Sequence, residues 1–99
     1  MATTTLPTQE QVDRVAQVLA PDVVHVRMNI DTDWADCPAL YFKVVISDDA
    51  SRDERLGEVT NRVRETFKTQ LDLYSLEPFP YFNFRNQSEQ AKLKEPAWD

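Results

Sequence analysis

Hydrophobic positions along the chain change their spacing several times, and each change marks an element. Thr8, Gln9, Glu10 and Gln11 have the form of a capping box, in which the threonine hydroxyl accepts a free backbone N–H and the glutamine reaches back. Val12, Val15, Ala16 and Leu19 then recur at helical spacing, and Pro21 ends the run, because residues before proline avoid the helical region. A first helix is predicted from about Gln9 to Leu19.

From Val23 the period becomes two. Val24, Val26, Met28 and Ile30 point one way in this pattern, and His25, Arg27 and Asn29 the other. After a polar, aspartate-rich segment, Leu40, Phe42, Val44 and Ile46 alternate with Tyr41, Lys43 and Val45, so two strands joined by a polar loop are expected to pair antiparallel.

Ser51 and Glu54 supply a second capping-box match, and Leu56, Val59, Val63, Phe67 and Leu71 form an apolar stripe behind it, which predicts a second helix. Glu58 and Arg62 are spaced for an i,i+4 pair worth about 0.3 kcal/mol. Gly57 costs about 1 kcal/mol relative to alanine inside a helix, and it marks either a close approach of another element or simple tolerance.

Beyond Tyr74 the chain turns to proline and aromatics. Tyr81 to Arg85 reads as a third strand, at a sheet edge because Pro78 and Pro80 precede it, with Phe82 and Phe84 directed into the core. Ser88 to Lys94 can form one or two helical turns.

These elements predict an α+β fold in which two helices pack on one face of a small, mainly antiparallel sheet, in the order α-β-β-α-β. The expected boundaries are a flexible N-terminal tail over 1–7, one domain over 8–86, and a C-terminal tail or short helix over 87–99. The opposite sheet face carries His25, Arg27, Asn29, Tyr41 and Lys43, which suits water or an interface.

Composition narrows the function classes. Ninety-nine residues, 41% hydrophobic and 28% charged, fit one globular domain. The net charge of −6 repels phosphate backbones and argues against nucleic-acid binding. No apolar run is long enough to span a bilayer, Met1 to Thr5 do not form a secretory signal, and the single cysteine, Cys37, cannot make an internal disulfide. Cytoplasmic residence is expected.

Asp31, Asp33 and Asp36, with His25 and Cys37 nearby, are the one local collection of metal-ligand types, set against the alternative of a solvated hairpin loop. An EF-hand beginning at Asp31 would need glycine sixth and an acid twelfth, where the chain has Asp36 and Phe42. His25 could act as a base or pH switch, although its strand position suits a surface histidine. The local aspartates would raise the Cys37 pKa rather than activate the thiol. Neither Ser47 nor Ser51 sits in a glycine-rich elbow, and the lone glycine rules out the common phosphate-cradling loops. No catalytic set and no cofactor are expected.

Six of the ten aromatic side chains, Tyr74, Phe79, Tyr81, Phe82, Phe84 and Trp98, fall in the last quarter of the chain. Tyr81, Asn83, Arg85 and Trp98 are the expected partner-binding residues, since tyrosine, tryptophan and arginine anchor interfaces and an edge strand invites pairing. The layout from Val23 to Phe84 resembles the cytoplasmic domain of cation-diffusion transporters and is similar to KH-like modules. The resemblance implies a fold and no function, because the histidines of the former and the Gly-x-x-Gly loop of the latter are absent. The functional expectation is a non-enzymatic interaction protein that forms a dimer or docks on a protein partner through its third strand and outer sheet face. The alternatives are an acidic inhibitor or antitoxin-like partner of a basic enzyme and, third, a metal-responsive or small-ligand-binding domain.

Overall fold

Helix α1, Gln9–Val18, starts at the expected box: Gln11 N donates to Thr8 Oγ1 at 3.2 Å, and Thr8 N donates to Gln11 Oε1 at 2.9 Å. The computed structural model describes residues 7–32, 34–71, 73, 79–94 and 98, so most of the expected N-terminal tail, Asp33 and Tyr74 lie outside the described residues. Val12, Val15 and the capping Leu19 bury the inner face of α1. Gln9 reaches sideways to strand β1, Val23–Thr32, where its amide donates to the Val26 carbonyl at 2.7 Å and accepts from Met28 N at 3.0 Å.

β1 pairs antiparallel with β2, Pro38–Ile46, from Thr32 opposite Pro38 to Val23 opposite Ile46. A bulge between Val23 and His25 breaks the simple alternation, so Val23 enters the core and Val24, expected inside, is 48% exposed. One extra residue on the bulged strand reverses the facing of everything before it. Ile30 also stays exposed.

Helix α2, Asp53–Gln70, carries the chain back along the sheet to β3, Phe79–Asn86, which runs parallel to β2 in the order β1-β2-β3. The sheet is therefore mixed rather than mainly antiparallel. The reason is length: an 18-residue helix spans about 27 Å, close to the roughly 26 Å of an eight-residue strand. The connection thus returns the chain to the end where β2 began. Phe42, on the central strand, ties the layers together, with ring centroids 5.4 Å from Phe67 of α2 and 4.9 Å from Phe82 of β3. Val59, Val63 and Phe67 are buried as the stripe predicts, with Leu71 partly covered and Leu56 37% exposed.

Two local expectations give way. Ser51 does not cap α2; its hydroxyl donates to the Asp48 carbonyl at 2.8 Å, and Arg52 holds the cap position with no side-chain hydrogen bond to the free helix N–H groups. The turn before the helix uses these hydroxyls itself, since Ser47 Oγ also accepts from Ala50 N at 3.0 Å. Arg62 turns toward Asp22 rather than Glu58, its Nη2 lying 2.6 Å from the carboxylate. Arg55 joins there, donating to both Asp22 oxygens at 3.0 and 2.9 Å and pairing with Asp49 through its other nitrogen. Asp22, 9% exposed, thus binds the turn between α1 and β1 to two points on α2 that lie two turns apart.

Helix α3, Gln87–Leu93, follows β3 directly, so the expected C-terminal tail begins as a short helix. Asn86 caps it with Glu89 in a reciprocal box, at 2.8 and 3.1 Å. Among the described residues no helix is long and apolar enough to cross a membrane.

Burial alone would raise the Asp22 pKa, but hydrogen bonds from Arg55 and Arg62 outweigh it and hold the carboxyl below its ordinary 3.8. A depressed folded-state pKa stabilises fully above the unfolded value and is lost as pH falls through the folded one. Asp22→Asn is expected to lose about 2 kcal/mol of stability at pH 7. In urea melts from pH 7 downward, the deficit of the variant should shrink below about pH 4 as the wild-type carboxylate takes up its proton.

Candidate interaction surface

The outer face of the sheet is ordered in rows by strand register. Asn29, Tyr41 and Tyr81 make one row, Arg27, Lys43 and Asn83 the next, and His25, Val45 and Arg85 the third. Tyr41 and Tyr81 stack with centroids 5.2 Å apart and planes 15° apart. Oriented with its oxygen 2.9 Å from Lys43 Nζ, the Asn29 amide also donates to the Met28 carbonyl at 3.2 Å.

The third row is covered. α3 passes over it, and Trp98, only 6% exposed, lies with its ring 4.3 Å from the Arg85 guanidinium, a cation–π contact. Arg85 also donates to Gln90 Oε1 at 3.2 Å. Two bonds to Asp48 fasten the start of α3 to the loop between β2 and α2: Ser88 Oγ and N donate at 2.6 and 3.0 Å. These two bonds, the hydroxyl first, hold the Asp48 pKa below its ordinary value. Asn86 Nδ2 adds a bond to Ser51 Oγ at 3.2 Å.

The expected partner-binding residues therefore divide. Tyr81 and Asn83 lie on the open rows, whereas Arg85 and Trp98 hold one another beneath the C-terminal segment. Beside β3, a groove of about 650 Å³ runs along α2, with Leu56, Gly57 and Thr60 on one wall and Phe82 and Phe84 on the other. Among the described residues nothing lies within 4 Å of where a Gly57 Cβ would stand, so none of them makes a close approach there. Phe82 and Phe84 are only partly buried, with Arg64 stacked 5.1 Å from the Phe84 ring.

The metal-ligand candidates separate as well. Asp31 accepts from Thr32 N at 2.7 Å and Asp36 sits at φ 61° in the hairpin tip. His25 lies six positions down the strand from Asp31, roughly 20 Å away at strand rise. Among the described residues no three carboxylate, imidazole or thiol groups converge on one point. The tip instead presents Trp34, 94% exposed.

Sequence reasoning missed Asp22 and its arginines, which no spacing links, and the clasp of Gln9 on β1. The α3 start was readable, since Asn86 and Glu89 have the spacing of a capping box. Comparison with protein-family models, curated proteins and solved structures found no match, so the resemblance to transporter and KH-like domains stays one of layout.

The Asp48 clasp predicts that Asp48→Ala frees α3 selectively. Backbone amides of Gln87 to Leu93 should exchange with deuterium faster, while those of β1 and β2 keep wild-type protection; uniform acceleration would mean that the clasp supports the whole fold instead.

Proposed function

We propose that this chain is a non-enzymatic cytoplasmic interaction module that pairs with a second copy of itself through the outer edge of β3. The observation that carries the proposal is the groove along that edge, where Phe82 and Phe84 are left partly uncovered beside a helix wall opened by Gly57. The other sheet edge is taken up by Gln9, which bonds the Val26 carbonyl and Met28 N–H. β3 has no described strand on its far side.

The order of residues on β3 is self-complementary. In an antiparallel pair centred on Asn83, Tyr81 of one copy faces Arg85 of the other on the outer side, and Phe82 faces Phe84 on the inner side. Such isologous pairing extends a three-stranded sheet to six and covers an exposed edge.

A second reading, an acidic inhibitor of a basic enzyme, is favoured by the hairpin tip. Trp34 stands exposed beside Asp31 and Asp36, and an aromatic anchor among carboxylates suits an apolar pocket ringed by basic groups.

Gly57→Arg separates pairing from folding. Replacing a helix-interior glycine should raise stability by up to about 1 kcal/mol, while the long side chain fills the groove. Light scattering on wild type should give twice the chain mass, and the variant the single-chain mass with a higher melting temperature. A wild-type monomer rejects the dimer and leaves the hairpin tip as the surface to pursue.

A further inference from the structure

The aromatic stack on the open outer face stops one strand short. Asn29, Tyr41 and Tyr81 form one row across β1, β2 and β3, and the two tyrosine rings lie 5.2 Å apart and 15° from parallel. Tyr81 therefore covers one face of the Tyr41 ring. On the other side β1 offers only the short Asn29 side chain, which cannot continue the stack. A cleft of about 470 Å³ opens there, bordered by Tyr41, Lys43 and the β1 residues 29–32. Tyr81 is not among its described walls, so the ring face that borders the cleft is the one turned away from Tyr81. The volume falls within the range of small-ligand sites.

The polar groups around this ring are held in place and keep hydrogen-bonding capacity to spare. Tyr41 Oη donates a long bond to the Thr32 carbonyl at 3.4 Å, which steadies the ring. The Asn29 amide is oriented by Lys43 Nζ at 2.9 Å and by the Met28 carbonyl at 3.2 Å, and it retains one N–H and one oxygen lone pair. Asp31 stands two residues farther along the same face, roughly 7 Å away at strand rise. One of its oxygens accepts from Thr32 N at 2.7 Å, and the other has no partner among the described residues.

We infer that this cleft binds a purine nucleoside of the adenosine type. The base takes the place of a third ring in the row, against the uncovered face of Tyr41, through the π-face contact that every base can make with an aromatic side chain. A ring standing there presents an edge to Asn29, whose remaining donor and acceptor match the neighbouring acceptor and donor of adenine. The ribose extends along β1 toward Asp31, and its hydroxyls donate to the open carboxylate oxygen, the role an acidic side chain plays toward ribose in dinucleotide sites. A neutral ligand also suits a chain of net charge −6, whose field works against phosphates.

Equilibrium dialysis against adenosine tests the site. Purine riboside, which lacks the exocyclic amino group, and free adenine, which lacks the ribose, are the controls. Adenosine is expected to bind with a Kd below about 1 mM and to shift the Asn29 side-chain amide in NMR spectra. Each control should bind at least about threefold more weakly, having lost one or more hydrogen bonds. Tyr41→Leu should weaken adenosine binding at least about tenfold. Asn29→Tyr supplies the missing ring from the chain itself. It should abolish binding while melting no lower than wild type, because aromatic cross-strand neighbours stabilise a sheet. No retention at millimolar adenosine, equal binding of adenosine and either control, or wild-type affinity in folded Asn29→Tyr or Tyr41→Leu would each overturn the assignment. The cleft lies on the β1 side of β2, away from the β3 edge, so adenosine binding and the dimer mass are decided separately.

Discussion

Asp22 is the point on which the arrangement of the two principal helices turns. It sits where α1 ends and β1 begins, and its carboxylate receives three hydrogen bonds from Arg55 and Arg62. Apolar contacts set how closely the helices cover the sheet, but such contacts are non-directional and allow a helix to slide or rotate. The two guanidinium groups, on the same face of α2 two turns apart, have fixed geometry and remove that freedom. Because Asp22 is largely shielded from water, losing either partner would leave a shielded charge short of donors, which is costlier than losing an exposed pair. The helix register and the position of the groove beside β3 follow from this clamp.

The two sheet edges and the two sheet faces are treated unequally, and the inequality is what gives the molecule its candidate surfaces. α1 and Gln9 close the β1 edge, while the β3 edge borders an open groove. On the outer face, α3 and Trp98 cover one row and leave the tyrosine pair and the Lys43 row uncovered by any described helix. Covered and open rows thus stand side by side on one sheet.

The elements were legible in the sequence wherever one local pattern decided them. The α1 capping box, the alternation of β2 and the α2 stripe each depend on residues within a few positions. The inward facing of Phe82 and Phe84 followed from the same logic. What escaped depends on residues distant in the chain or on backbone detail. The bulge after Val23 moves a side chain from one face to the other without altering composition, and the parallel course of β3 is decided by the length of α2 rather than by β3 itself. Arg62 could have paired with Glu58 four residues away, and only the folded structure brings the better-shielded Asp22 to it. For the candidate surface, the aromatic richness of the last quarter pointed to β3, the strand now proposed to pair. It could not tell that Arg85 would hold Trp98 against the sheet, since their contact spans thirteen positions with no periodic signal.

The parallel pairing of β3 has a consequence for how the molecule comes to exist. β1 and β2 meet across a short loop, so their contacts close little chain entropy, whereas β3 must await the whole of α2 before it can align with β2. Until then β2 is itself an edge, presenting Leu40, Phe42, Val44 and Ile46 on its inner side. During synthesis, the strand proposed to receive a second copy emerges after the other two described strands, and it shields β2, the most deeply buried of the three. A chain cut short after α2 would not simply lose an interface; it would expose a long, flat, hydrophobic strand, the kind of edge from which aggregates grow.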